Sequence, residues 1–181
     1  MAIETWQVDP VHSCIHFSVP HCMVSKIHGR FTKWSGTIQL DDQAPASSSV
    51  EIHIDASSID TNEPNRDGHL KGTDLFNVAQ YPEITFKSTK VESSGKDQYK
   101  VTGDFTLKGV SKPVVLEVDH GGSVKDPWGN SRGGFSVKGS IDRKDFGLTF
   151  NMPLEGGGFV LGDKVDFSID VEAVKAAAQA A

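Results

Sequence analysis

Cysteine is scarce. Two thiols, Cys14 and Cys22, stand in 181 residues. Two cannot build a disulfide framework, and their spacing is not that of a metal site. No apolar run approaches the roughly 20 residues that a membrane-crossing helix needs. Basic side chains are the minority, 18 against 24 acidic ones, for a net charge of −6. The basic stripe of a nucleic-acid-binding domain is missing, so no nucleic-acid partner is expected. The opening residues, MAIETWQVDP, hold neither a basic segment nor an apolar one, so no signal peptide is visible as written. This predicts a cytoplasmic protein, or a periplasmic one if a leader has been removed. Helix formers are few as well. Leu and Ala together number 19, and six of those Ala fall in the last nine residues.

What is present favours strands. Val, Ile and Thr together number 38, the residues that fit a pleated surface. Gly is 18 of 181, above the usual share of about 7% and suited to turns and bulges. Apolar and polar residues alternate with period two in eight segments. These are Ile15 to Val19, Gly36 to Leu40, Val50 to Asp55, Ile84 to Lys87, Val101 to Leu107, Val114 to Asp119, Phe135 to Ile141 and Val165 to Val171. Phe31 to Trp34 and Phe146 to Phe150 are expected to extend neighbouring strands through bends. Turn chemistry at Ser93 to Asp97 and Lys108 to Pro113 predicts hairpin connections. Each strand has one polar face, which argues for antiparallel pairing. Eight such strands close into a barrel or fold as a sandwich. No period of 20–50 residues repeats, which excludes a solenoid or propeller. Residues 1–175 are read as a single all-β domain, with 176–181 an Ala-rich tail. The stretch from Ala173 onward is expected to be a frayed helix.

One segment breaks the alternation. Asp60 to Pro82 is longer than most loops in compact domains, and such loops are commonly functional. It carries Leu70, Leu75, Phe76 and Val78, anchors that a disordered loop does not need. It is read as an ordered flap with one or two helical turns, bracketed by Leu70 and Leu75.

Candidates for chemistry are sparse. His12, His16, His21 and His28 lie close in sequence but match no zinc spacing. They are read as outer-face or mouth residues, and neither a metal nor a cofactor is expected. No elbow sequence surrounds a serine, and no catalytic residue is assigned. The flap places Arg66, Asp67, His69 and Lys71 within six residues, next to Leu70. That pattern reads either as a solvated loop or as a polar rim for the head group of something entering a barrel. Arg30, Arg132 and Arg143 are read as surface charges. Phe17, Phe86, Phe105, Phe135 and Phe167 fall on apolar strand faces, while Phe31, Trp34 and Phe150 lie beside bends. An eight-stranded barrel either fills with side chains or holds one small ligand. Gly36, Gly103 and Gly139 sit at inward positions and are expected to leave room.

Several longer stretches carry a resemblance. They are WQVDPVHSCIHFSV at Trp6 to Val19, GRFTKWSGTI at Gly29 to Ile38, and NRDGHLKGTDLFNVAQYPEITFKS at Asn65 to Ser88. VTGDFTLKGVSKPVVLEV at Val101 to Val118 and IDRKDFGL at Ile141 to Leu148 join them. Together and in this order they resemble the YceI-like family, from Trp6 to about Lys175. The resemblance implies an eight-stranded antiparallel lipocalin-like barrel with a short helical flap. It implies a long amphiphilic ligand, a polyisoprenoid such as an isoprenoid quinone or prenyl phosphate. Most such proteins carry a signal peptide, from which this chain departs as written. The family has no established catalytic residues, so none is carried over, and Arg66 to Leu70 matches its lid segment. A homodimer, and transient membrane contact for lipid exchange, are the further partners it implies.

The expectation is therefore a non-enzymatic lipid carrier or store, also placed within transport and stress response. Its tunnel is expected to be lined by Phe17, Phe31, Trp34, Phe86, Phe105, Phe135, Phe150 and Phe167. Arg66, Asp67 and His69 are expected at the open end, with Leu70, Leu75 and Phe76 as a plug. Two alternatives stay open. One is an enzyme acting on such a lipid through a mouth histidine. The other is an interaction module with a filled barrel.

Overall fold

The computed structural model describes residues 3–177. In chain order its elements are β1 (Glu4–Val8), β2 (Cys14–His21), β3 (Ser25–Phe31), β4 (Trp34–Leu40), β5 (Ser49–Asp55), β6 (Ile59–Asp60), α1 (Pro64–Lys71), β7 (Glu83–Gly95), β8 (Gln98–Leu107), β9 (Val110–Lys125), β10 (Ser131–Asp142) and β11 (Lys164–Lys175). Three pairs are single staves interrupted by a kink: β1 with β2, β3 with β4, and β5 with β6. The result is a closed eight-stave antiparallel barrel. β11 closes it by pairing with both halves of the first stave. Trp6 faces Lys175 on β1, and Phe17 faces Phe167 on β2.

Local chemistry sets the turns. Lys108 and Gly109 take φ of 51° and 73°, the primed geometry that matches the twist of the strands on either side. The flap helix starts where Pro64 stands at its first turn and the Glu63 carboxylate accepts from the N–H groups of Asn65 and Arg66. It stops at Gly72. The helix therefore begins six residues before the expected Leu70 to Leu75 stretch and overlaps it at Leu70 and Lys71. Thr61 ties the flap together. The Asp67 carboxylate accepts from its N–H and hydroxyl, and Arg66 donates to its Oγ1 and carbonyl at 2.8 Å each.

Other expectations also change. β1 and β3 are strands that the alternation did not reveal. Phe146 to Phe150 is not a strand. Arg143–Phe146 is a 3-10 turn that ends at Gly147, with φ of 78°. Ala173 to Lys175 belong to β11 and not to a helix, while 178–181 lie outside the described residues. Arg143 is 4% exposed and is no surface charge. Its Nε donates to the Gly162 carbonyl, and its NH1 to those of Leu148 and Phe150. A guanidinium has five N–H donors, and this one pins the loop between β10 and β11 to the barrel.

Candidate functional site

The barrel interior divides into two halves along its axis. The half beneath the flap is filled. Phe105 stacks on Phe167 with centroids 6.5 Å apart and meets Phe146 edge-on at 5.4 Å. Phe31 lies 5.6 Å from Phe17 and 6.2 Å from Phe76 of the flap. Phe86 and Trp34 are buried, as is Leu75. Leu70 packs beside them. Phe150 meets His69 edge-on at 4.8 Å, and His69 also faces Asp74 at 3.5 Å.

Of the glycines expected to leave room, a Cβ on Gly36 would lie 2.5 Å from Ile52 Cδ1, and Gly103 and Gly139, like Gly29, lie beneath rings. A Cβ on Gly29 would lie 2.3 Å from Phe17 Cζ, one on Gly103 2.5 Å from Phe86 Cζ, and one on Gly139 2.6 Å from Phe167 Cζ. At each position a ring occupies the space a side chain would have taken. These three glycines are the floor on which the aromatics lie.

The opposite half is hollow. A cavity of about 100 Å³ is lined by Val8, Ile38, Leu40, Val50, Ile52, Val91, Tyr99, Val101, Leu116, Val118, His120, Phe135, Val137, Ile169 and Val171. Every stave contributes, because these are the inward positions of the period-two pattern. The β4–β5 connection adds Pro45 and Ser48, with Ser49 beside them, and its 3-10 turn packs against β7. No charged side chain is in this wall. A water needs roughly 10–15 Å³ on such a measure, so the hollow is larger than a packing defect. It is still well under the roughly 300–1,000 Å³ of a typical ligand pocket. Packing around it is loose. Leu40, Val50, Ile52, Val118, Phe135, Val137 and Ile169 in its wall are just partly buried although they face inward. A close-packed interior would not leave them so.

The lining therefore differs from the expected tunnel. Of the eight aromatics expected along it, Phe135 stands in the cavity wall, and the others form or border the packed half. The flap residues Arg66, Asp67, His69, Leu70, Leu75 and Phe76 lie at the far end from the cavity. Sequence reasoning missed His120, although a signal was there. The inward positions Val114, Leu116 and Val118 continue by parity to residue 120. His120 stacks on Phe135 at 4.8 Å with 15° between planes. Its backbone N–H donates to the Asp97 carbonyl at 2.8 Å.

A charged cluster lies on the outer wall beside Val8 and Val171. Arg132 donates from Nε to Asp126 at 2.8 Å and from NH1 to Asp9 at 2.9 Å and Glu172 at 2.5 Å. His12 Nδ1 is 2.8 Å from Asp9. Bonding to His12 and then to Arg132 lowers the Asp9 carboxyl to about 2, and the same guanidinium holds Asp126 far below the usual carboxylate range. Asp9, His12 and Glu172 could converge on one metal ion, but the guanidinium already supplies their positive charge. Elsewhere on the barrel, His53 sits between Glu83 at 2.5 Å and Glu51 at 2.9 Å. Those bonds, Glu83 first, raise its pKa.

A family model described as the YceI-like domain matches residues 6–173. The chain belongs to the YceI-like family. Among curated relatives, Protein YceI of Escherichia coli O157:H7 is 39% identical over 164 residues, covering 91% of this chain and 82% of that one. The crystal structure of Burkholderia cenocepacia BcnA superimposes with a TM-score of 0.81 at 24% identity, covering 91% of this chain and 98% of the other. A polyisoprenoid binding domain from Saccharophagus degradans, implicated in plant cell wall breakdown, gives 0.66 at 18% identity, covering 94% and 98%. Both likenesses are of fold. The eight-stave YceI-like barrel with its flap is thus the architecture expected from the sequence.

Proposed function

We propose that this chain binds, carries or stores a long amphiphilic lipid of polyisoprenoid type and catalyses no reaction. The observation that carries the proposal is a hollow walled by all eight staves with apolar side chains. The neighbour described as polyisoprenoid-binding shares this fold. The energetics suit the reading. Each buried CH₂ is worth about 0.8 kcal/mol, so a few isoprene units offset an association cost of order 4–15 kcal/mol. An isoprenoid quinone or a prenyl phosphate would meet the requirement.

The cavity is too short for such a tail. In this proposal the tail continues along the barrel axis, displacing Phe135, Phe105 and Phe167 and then the rings of Phe86, Phe17 and Phe31. Trp34, Phe150, Leu70, Leu75 and Phe76 bound the far end, and Arg66, Asp67 and His69 form its rim. Loading takes place in transient contact with a membrane. The test is organic extraction of the purified protein followed by mass spectrometry, with titration of the delipidated protein by a fluorescent prenyl analogue. A co-purified prenyl lipid and saturable uptake are expected. Protein that yields no lipid and takes up no analogue would sink the proposal.

A further inference from the structure

Three buried side-chain nitrogens have no hydrogen-bond partner among the described residues: Trp6 Nε1, Arg143 NH2 and His120 Nε2. The first two lie outside the cavity wall. The Arg143 guanidinium bonds three carbonyls through its other nitrogens and faces Asp163 at 3.6 Å. His120 is different, because it is the member of this trio that lines the hollow. A buried polar atom left unpaired costs stability, and each such atom in a native fold requires an explanation.

The backbone around His120 is unusual in the same place. His120 pairs with Phe135, but the next pair is Gly122 with Gly134, so Gly121 is left over as a bulge. Bulges re-aim side chains, and they are common beside binding sites. Here the bulge adjoins a ring that lies flat on Phe135. Tyr99, Ser48 of the β4–β5 connection and Ser49 at the start of β5 complete the polar part of the wall, and no lysine or arginine joins them.

Resting on the lipid-carrier reading, we propose that His120 is a specificity-determining residue. Its Nε2 makes the hydrogen bond by which the barrel holds the polar end of its lipid. The polar end it selects is uncharged, a hydroxyl or a carbonyl oxygen, because a phosphate or carboxylate placed there would find no cation in the wall. The head group is therefore seated in the hollow away from the flap, and the tail points toward the flap.

The test compares three probes of equal chain length: geranylgeraniol, the corresponding hydrocarbon without the hydroxyl, and geranylgeranyl phosphate. Each competes with a fluorescent prenyl analogue on wild type, His120→Phe and His120→Gln. Wild type is expected to prefer the alcohol over the hydrocarbon by about tenfold, the worth of one buried hydrogen bond. His120→Phe keeps hydrocarbon affinity and loses the preference. His120→Gln restores part of it, since its amide reaches where Nε2 stood. A preference that survives His120→Phe would overturn the role of His120 while leaving lipid carriage intact. Phosphate binding more tightly than alcohol would overturn the uncharged head group. Binding of none of the three to wild type would overturn the carrier reading itself.

Discussion

Phe17 lies on Gly29, its partner across the β2–β3 pair, so closely that a Cβ there would come within 2.3 Å of the ring. Gly103 is covered likewise by Phe86, but its Cβ would also meet the Lys87 carbonyl at 2.6 Å. A ring can swing aside and a strand backbone cannot. Gly29→Ala is therefore expected to cost about 1 kcal/mol and Gly103→Ala about 3 kcal/mol, the two ends of the usual range for overpacking. Urea unfolding of both variants measures the order, and an inverted order would refute the account.

Arg132 governs the response to acid. Hydrogen bonding to His12 and then to Arg132 holds the Asp9 carboxyl at about 2 against an ordinary 3.8, and the same guanidinium holds Asp126 far below the usual carboxylate range. A depressed carboxylate stabilises the fold fully above its unfolded pKa and stops doing so as pH falls through its folded one. Melting temperature should therefore fall between pH 4 and pH 2 through these groups. Arg132→Gln should lower it at pH 7 and flatten that acid limb. His53 acts in the opposite sense. Its raised pKa gives stability that is complete below 6.5 and fades as pH rises through the folded value. The effect should be small at a side chain 45% exposed. Calorimetry from pH 2 to 9 resolves both limbs.

Arg143 holds three carbonyls of one loop, those of Gly162, Leu148 and Phe150. Arg143→Met keeps the apolar stem and leaves these acceptors without their donor. A loss of about 3 kcal/mol is expected, in line with buried acceptors at roughly 1–3 kcal/mol each, some rescued by water. Denaturant unfolding checks it, and hydrogen exchange should show the loop between β10 and β11 opening first.

The two ends of the barrel can be tested separately. Val118→Phe adds a ring to the hollow and should weaken uptake of a fluorescent prenyl analogue at least about tenfold, with melting unchanged or raised. Leu75→Asp puts a carboxylate at a flap position 4% exposed, where burial of the charge is unfavourable. It should speed release in stopped flow. If Leu75→Asp blocks uptake and Val118→Phe does not, the tail enters from the flap side and the hollow is not the head-group seat.

Much of the barrel was legible because an inward-outward alternation is what a closed sheet imposes on its staves. The strands it hid have clear reasons. β3 places Gly29 at an inward position, so its apolar face reads as a gap. β1 shows just Trp6 and Val8. The site was less legible. Period two says which residues face inward but not which half of the interior is filled. That depends on which way each ring lies and on whether a glycine accepts it, a relation between strands. Burial of Arg143 depends on carbonyls of residues 148 to 162 folding back over it. His120 could have been read from parity with Val118, but its missing partner could not.

The closing of the last stave on the first has a consequence for synthesis. β1 pairs with β11, so the two neighbours of one seam are separated by most of the domain and leave the ribosome far apart in time. At roughly 5–20 residues per second, β1 waits on the order of ten seconds for its second partner. Until then the nascent chain is an open, curled sheet with two unsatisfied edges, which invites pairing with other chains. Ring closure through contacts so distant in sequence is also slow. Any factor that shields the β1 edge during that interval should raise the yield of soluble barrel without touching the finished molecule.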